Sequence, residues 1–398
     1  MSLHGRCIAP PENPFCNKSS IWQGVRGKGI SPGGVWGQRP RRSEIATVSQ
    51  PNAVYGFYNT YMLSPDLPLI DLHRHLEGAI RLGTILDLAN QHDLELPARD
   101  LERLRSHVQV TQPQPGIMAF IAKFDLIIGV LADADACRRV AYENVLDAAN
   151  EGIDYIELRF SPLFMAQPHG LDPAAVTAAV VHGIRQGAEE AGIKANSLGI
   201  LSRTFGPNLA YQELDALLTQ KDAIVGLDLA GDEANFPGEL FVEHFKIARD
   251  AGWGITVHAG EAAGPESVWQ AIRELGATRI GHAVRAMEDP ALVDYMREHR
   301  IGIEANLTSN VQTSTVPSYA AHPLKAMLEA GLLATINSDD PGISGIDLPY
   351  EFEVAAPEAG LSEAQIRQAQ ANALELAFLS DQEKQTLRGR KASGKLAG

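Results

Sequence analysis

Apolar and polar positions change rhythm near residue 67. Before it, neither a period of 2 nor one of 3.6 can be traced. After it, short β-branched or apolar runs recur at 68–73 (PLIDLH), 153–160 (IDYIELRF), 195–202 (ANSLGILS), 223–230 (AIVGLDLA), 254–259 (GITVHA), 278–283 (TRIGHA), 301–307 (IGIEANL) and 332–338 (LLATINS). Stretches with helical spacing separate them, among them 172–191, 238–251, 265–275, 289–299 and 323–330. Asp172-Pro173 and Pro265-Glu266 mark helix starts, and Gly192, Gly252, Gly276 and Gly331 stand where helices should stop. Eight strand–helix alternations over roughly 270 residues predict a closed (β/α)8 TIM barrel, an α/β fold. Extra helices fill 80–150 after the first strand, and 348–390 adds a helical C-terminal tail. A doubly wound open sheet would carry a glycine-rich turn after its first strand. Here that turn reads His73-Arg74-His75.

Charge divides the chain in two. Residues 1–64 hold seven Lys/Arg and two Asp/Glu, a net of +5, while the 334 residues after them hold 27 and 47, a net of -20. The first segment, rich in Gly and Pro, reads as a flexible N-terminal extension or artefact preceding one folded domain at 65–398. It has no signal-peptide apolar core, and Gly27-Lys28-Gly29 runs into Pro32 with no strand before it, so it is no phosphate loop. The overall charge of -15 argues against a nucleic-acid binder. No run of ~18 apolar residues spans a membrane. Cys7, Cys16 and Cys137 offer no disulfide framework and no Cys-x-x-Cys pair, which suits a reducing, cytoplasmic setting.

In a barrel of this kind, side chains at the C-terminal ends of the strands share one cup. Strand one ends in His73-Arg74-His75, strand five in His258-Ala259-Gly260-Glu261, strand six in Gly281-His282 and strand eight in Ser338-Asp339-Asp340-Pro341. The period of 2 puts both imidazoles of His73 and His75 on one side and Arg74 on the other. Singly, each feature has a plainer meaning. A His-x-His pair is common on strand surfaces, a lone His258 or His282 packs in a core, and Asp-Asp-Pro is a turn. Their coincidence at four strand ends is what points to a metal centre. Nitrogen-rich ligands with a carboxylate suit zinc better than magnesium or calcium. Strand four ends Asp228-Leu229-Ala230-Gly231-Asp232-Glu233 with no lysine to bridge a second ion, so one metal is expected. His92, His107, His169, His182, His244 and His299 fall on helices or loops and read as surface or packing residues.

Taken together, LPLIDLHRHLEG, SRTF, DLAGDE, HAGEAAGPESVWQAI, RIGHAV and INSDDPG resemble the adenosine deaminase family of the amidohydrolase superfamily, its bacterial branch above all, in order over about 65–390. The resemblance implies a zinc-dependent barrel that hydrolyses adenosine and 2'-deoxyadenosine to inosine and 2'-deoxyinosine, with ammonia released, in purine salvage. It implies one Zn2+ held by His73, His75, His258 and Asp339. Glu261 would be the proton donor to purine N1, and His282 the base or electrostatic partner of the attacking water. Asp340 would orient that water or the substrate. It also implies substrate contacts at His75, Glu77, Asp340 and the Gly231 backbone, where purine N3 sits. The 117–125 stretch (IMAFIAKFD) resembles the family's lid over the purine, with Ile117, Phe120, Ile121 and Phe124 on its apolar face; plain helix packing would produce the same spacing.

The chemistry fits those residue types. Zinc brings the pKa of a bound water toward ~7. An acid at N1 relieves charge as attack at C6 proceeds, so Glu261 is expected to have a pKa raised by burial and by nearby acidic groups. Two positions depart from the nucleoside enzymes. Glu77 stands where Asp is usual, and with Ser338 it resembles deaminases of free adenine, which makes adenine or another N6-aminopurine the alternative substrate. No Arg/Lys cluster marks a phosphate site, and the domain's negative charge disfavours nucleotides. A purine-binding barrel without catalysis is disfavoured by the presence of both Glu261 and His282.

Overall fold

The computed structural model describes residues 62–392. Most of the 1–64 extension therefore lies outside the described residues. Its last three positions are packed: Met62 and Leu63 lie against the core, and Ser64 N–H donates to Gln370 Oε1 at 2.9 Å.

Eight parallel strands follow one another in the sheet in chain order. They are β1 (Ile70–His75), β2 (Tyr155–Phe160), β3 (Lys194–Ser202), β4 (Ile224–Ala230), β5 (Gly254–Ala259), β6 (Arg279–His282), β7 (Gly302–Ala305) and β8 (Leu333–Ile336). All eight match the sequence expectation in place, and the architecture is an α/β barrel of eight parallel strands with helices between them. The last seam is narrow. β8 meets β1 through one bridge, Arg74 to Asp339, with His75 N–H donating to Asp339 O and Asp339 N–H to His73 O, both at 2.8 Å. The stitching that closes the barrel therefore runs through the residues that carry the candidate chemistry.

The main core lies between sheet and helices, as each strand's outward apolar residues demand. A second cluster of Ile70, Leu72 and Tyr155 packs against Ala373 and Leu374 of the C-terminal helix Glu363–Leu376, Ala377 just after it, and Leu387 of the helix Asp381–Ala392. That tail covers the N-terminal strand ends, so the opposite ends carry the cup. Helices fill 80–150 as expected, the longest being Ala134–Asn150. The expected lid is two short helices rather than one, Ile117–Ile121 and Phe124–Ile128. Between them the bonding tightens, with Lys123 N–H donating to Phe120 O at 3.0 Å. Among the described residues, no helix is long and apolar enough to cross a membrane.

Candidate metal centre and active site

β1 delivers the two imidazoles as its period requires. His73 and His75 face the cup, while Arg74 turns outward to Asp71 (3.0 Å) and to Glu151 (2.5 and 2.9 Å). His73 Nε2 lies 3.1 Å from His258 Nε2, and His75 Nε2 lies 3.2 Å from it. Asp339 Oδ1 is 3.3 Å from both His73 Nε2 and His75 Nε2. The four ligand atoms lie within 4.8 Å of one another. A tetrahedral zinc site with bonds of about 2.0–2.1 Å has edges of roughly 3.4 Å, so this set has the right size and the right donors.

The far sides of two imidazoles are fixed as a metal site requires. His73 Nδ1 pairs with Glu304 Oε2 at 2.7 Å, and His258 Nδ1 with Asp228 Oδ2 at 3.0 Å. Each carboxylate holds the ring proton on Nδ1 and leaves the Nε2 lone pair free. Arg159 clamps both carboxylates, at 2.7 Å to each. Burial would push the Glu304 and Asp228 carboxyls up, but for Glu304 the guanidiniums of Arg159 and Arg279, and for Asp228 His258 with Arg159, hold them well below the usual range. Burial also lowers the imidazoles of His75 and His258, which keeps them neutral and able to bind a cation.

The backbone is bent where the side chains must converge. His282, Ala283 and Asp339 are non-glycine residues with φ of 63°, 52° and 60°, sparsely populated conformations that gather at functional sites. Two glycines make room. A Cβ at Gly281 would lie 2.9 Å from His73 Cε1, and one at Gly78 would collide with the Asp340 carboxylate.

Glu261 is buried beside this cluster, its Oε1 lying 3.6 Å from His282 Nδ1 and 3.4 Å from Asn310 Nδ2. Burial raises its pKa well above the usual value, and the negative charges of Asp339 and Glu233 add to the rise, in the direction the sequence reading expects. Asp340 is raised well above its usual value for the same kinds of reason, burial first and then Asp339, Glu77 and Glu261. Its Oδ1 is buried with no protein partner, which suits a group waiting for a ligand. Glu77 is buried and raised to about 7 by burial, and its Oε1 accepts from Ser161 N–H at 2.8 Å. Gly231 follows β4 with φ of 108° beside Thr204. Phe120 and Phe124 belong to the main core and start an aromatic row, Phe120–Phe124–Phe164–Phe205, with centroids 6.0–6.4 Å apart. Ser338, taken in the sequence as a sign of adenine specificity, is occupied elsewhere: its Oγ donates to Asp71 Oδ2 at 2.5 Å and accepts from Arg74 Nε at 2.9 Å.

Sequence reasoning missed the supporting layer. Arg159, Asp228 and Glu304 sit inside fully or largely buried strands, and a charged residue there must be paired, a signal that was available. Glu233 stood in the DLAGDE run at the end of strand four but was given no role, while Asn310 and His322, which lie off the strand ends, carried no comparable signal.

A barrel of eight parallel strands with three imidazoles and a carboxylate converging at its mouth, beside a buried acid with a raised pKa, has the architecture of an amidohydrolase-type hydrolase with a cluster that could hold a metal ion. The chain matches the adenosine deaminase family profile over residues 68–392. It is 61% identical to the adenosine deaminase of Vibrio cholerae over 326 residues, 82% of this chain and 98% of that one. Among solved structures, the adenine deaminase of Arthrobacter aurescens superposes with a TM-score of 0.76 at 26% identity, covering 83% of this chain and 100% of that one. An amidohydrolase from Burkholderia ambifaria with bound Zn gives 0.75 at 25% identity, covering 83% and 91%. This chain belongs to the adenosine deaminase family, and it is a hydrolytic deaminase.

Proposed function

We propose that the chain deaminates adenosine and 2'-deoxyadenosine to inosine and 2'-deoxyinosine with release of ammonia, using one zinc ion held by His73, His75, His258 and Asp339. The carrying observation is the fit of those four ligand atoms to one cation, with the buried Glu261 carboxyl alongside. Zinc bound there supplies an acidified water as nucleophile. Glu261, its pKa raised well above the usual value by burial, is the proton donor to purine N1 as charge builds during attack at C6. His282, 3.7 Å from Asp339 Oδ2, borders the water's position. Asp340 Oδ1, unpaired on the protein side, orients the water or the exocyclic amine. The Gly231 backbone receives N3, Glu77 faces the ribose side, and Phe120 and Phe124 wall the purine off from solvent. Purine salvage in the cytoplasm is the setting this activity implies.

A second reading, deamination of free adenine, is favoured by Glu77 in place of Asp. The tie to Ser161 weakens it, because the extra methylene is used to reach backbone rather than to fill the pocket. Steady-state assays with adenosine, 2'-deoxyadenosine and adenine, with metal analysis on the same sample, decide between them. Adenosine should lead adenine in kcat/KM by well over tenfold at about one zinc per chain, since a site built to bond a ribose hydroxyl penalises its loss. Adenine in the lead, or full activity without metal, overturns the proposal.

A further inference from the structure

Behind Glu261 and His282 lies a buried hydrogen-bond relay that starts outside the cup. Leu324 N–H donates to His322 Nδ1 at 3.1 Å. A backbone N–H can only donate, so Nδ1 is the acceptor and His322 carries its proton on Nε2. That Nε2 lies 3.1 Å from Asn310 Oδ1, and donor and acceptor match. The direction of the Asn310 amide is thereby set, with its NH2 end pointing into the cup. There it reaches His282 Nδ1 at 2.9 Å and Glu261 Oε1 at 3.4 Å. An amide NH2 has no lone pair to offer, so His282 Nδ1 is the acceptor and its ring proton sits on Nε2, the side facing Asp339. Asn306 Nδ2 lies over the same ring, 3.3 Å from Nδ1 and 3.4 Å from Nε2, and sets no preference between them. Every member is buried: Glu261, His282, Asn310 and His322 are each at most 6% exposed. In such surroundings, mismatched donors are costly and the relay has one consistent polarity. Burial also keeps the His322 imidazole neutral, lowering its pKa to about 3.

We propose that Asn310, oriented by His322, is a positioning residue that spaces the Glu261 carboxyl from His282 and presents the resting His282 to the metal centre as an N–H donor, not as a lone pair. Asn310 lies on the helix Leu307–Gln312 after β7, and His322 just before the helix Leu324–Glu329 that leads into β8. The relay therefore couples two loop segments to the acid and the water partner. The inference rests on the roles proposed above for Glu261 and His282.

The test uses zinc-loaded enzyme and two variants that separate the halves of His322. His322→Asn keeps an acceptor near Leu324 N–H but is too short to reach Asn310. His322→Gln reaches Asn310 with an amide donor and gives up the acceptor. If the relay holds, H322N loses about tenfold in kcat, with KM and zinc content unchanged, and H322Q recovers most of that loss. A merely capping role for His322 gives the opposite order, and that order, or wild-type kcat in both, overturns the proposal. Long-range 1H–15N correlation spectra of histidine-labelled wild-type holoenzyme need no folded variant beyond the one used for assignment. They should show His282 with pyridine-like Nδ1 and pyrrole-like Nε2, and the reverse tautomer overturns the proposal independently. Glu261→Gln serves as the control. A fully active E261Q defeats the underlying reading, whereas an inactive E261Q with the wrong His322 order or the wrong tautomer defeats the relay alone.

Discussion

Glu233 shapes the catalytic loop without touching the ligand cluster. Its two oxygens accept from the backbone N–H groups of Gly260 (2.7 Å), Glu261 (3.2 Å), Ala262 (2.7 Å) and Ala263 (3.0 Å), and from Ser267 Oγ (2.5 Å). Five donors converge on one carboxylate, so the loop that aims Glu261 is folded around a negative charge. Glu233→Gln keeps the shape but turns an NH2 against donors that need an acceptor. It also removes one of the charges that raise the Glu261 pKa. Two outcomes follow. The value of kcat/KM should fall by about 10- to 100-fold, the cost of leaving buried N–H groups unsatisfied. The alkaline limb of the kcat profile, where protonated Glu261 is lost, should move to lower pH. Kinetics from pH 5 to 9 measure both; an unmoved limb with normal kcat/KM would show that Glu233 does neither job.

Among elements, the strands are braced across the barrel by charge. Arg159 on β2 donates to Leu72 O of β1 (2.6 Å), Asp228 of β4 (2.7 Å) and Glu304 of β7 (2.7 Å). Arg279 on β6 reaches Glu157 of β2 at 2.6 Å and Leu376 O of the C-terminal tail at 2.9 Å. Arg159→Met fills similar volume but removes the guanidinium shared by two buried carboxylates, leaving Glu304 to Arg279 and His73 and Asp228 to His258 alone. It should lower unfolding free energy by roughly 3–5 kcal/mol in urea titrations, and zinc affinity with it, because Glu304 and Asp228 hold the ligand imidazoles. A change under about 1 kcal/mol would mean water replaces the guanidinium. This bracing also marks the limit of what the sequence makes legible. Strand positions and the His-x-His geometry can be read because they rest on local periodicity and on one rule about strand ends. The partners of Arg159 cannot be so read: Asp228 and Glu304 lie 69 and 145 residues away, and only the closed sheet brings them together. Asn310 and His322 fall outside the strand-end rule altogether. The lid region fails for a different reason, since the spacing of Phe120 and Phe124 keeps both on one face whether the helix runs on or tightens at Lys123.

For the whole molecule, buried acids set how stability depends on pH. Glu213, on the helix Pro207–Leu218, is fully buried and fastens the end of β2 to the end of β3. It accepts from Ser161 Oγ and from Ser202 N–H, the latter at 2.7 Å. Burial raises its pKa to about 8 against an ordinary 4.5. Glu351 is raised likewise to about 8. The sign follows from proton counts. Below pH 4.5 Glu213 is protonated in the folded and the unfolded chain and contributes no slope. Between 4.5 and about 8 the folded chain keeps the proton and the unfolded chain releases it, so rising pH favours unfolding. Above about 8 both are ionised and the loss is complete. Glu304 and Asp228 work oppositely, stabilising above the ordinary carboxylate range and failing only in acid. Thermal stability should therefore peak on the mildly acidic side and fall toward pH 8. Self-repulsion from the -15 net charge would produce a similar fall, so the wild-type curve alone does not isolate the cause. Glu213→Gln does: its amide accepts from Ser202 and donates to Ser161 Oγ, imitating the protonated acid at every pH. At equal zinc, its Tm should match wild type near pH 5 and exceed it by several degrees at pH 8, because only the wild type must ionise a buried group there. The metal's own pH dependence cancels in that difference. A Tm difference that stays constant from pH 5 to 8 would mean Glu213 keeps an ordinary pKa in the folded chain, and the slope would then belong to net charge.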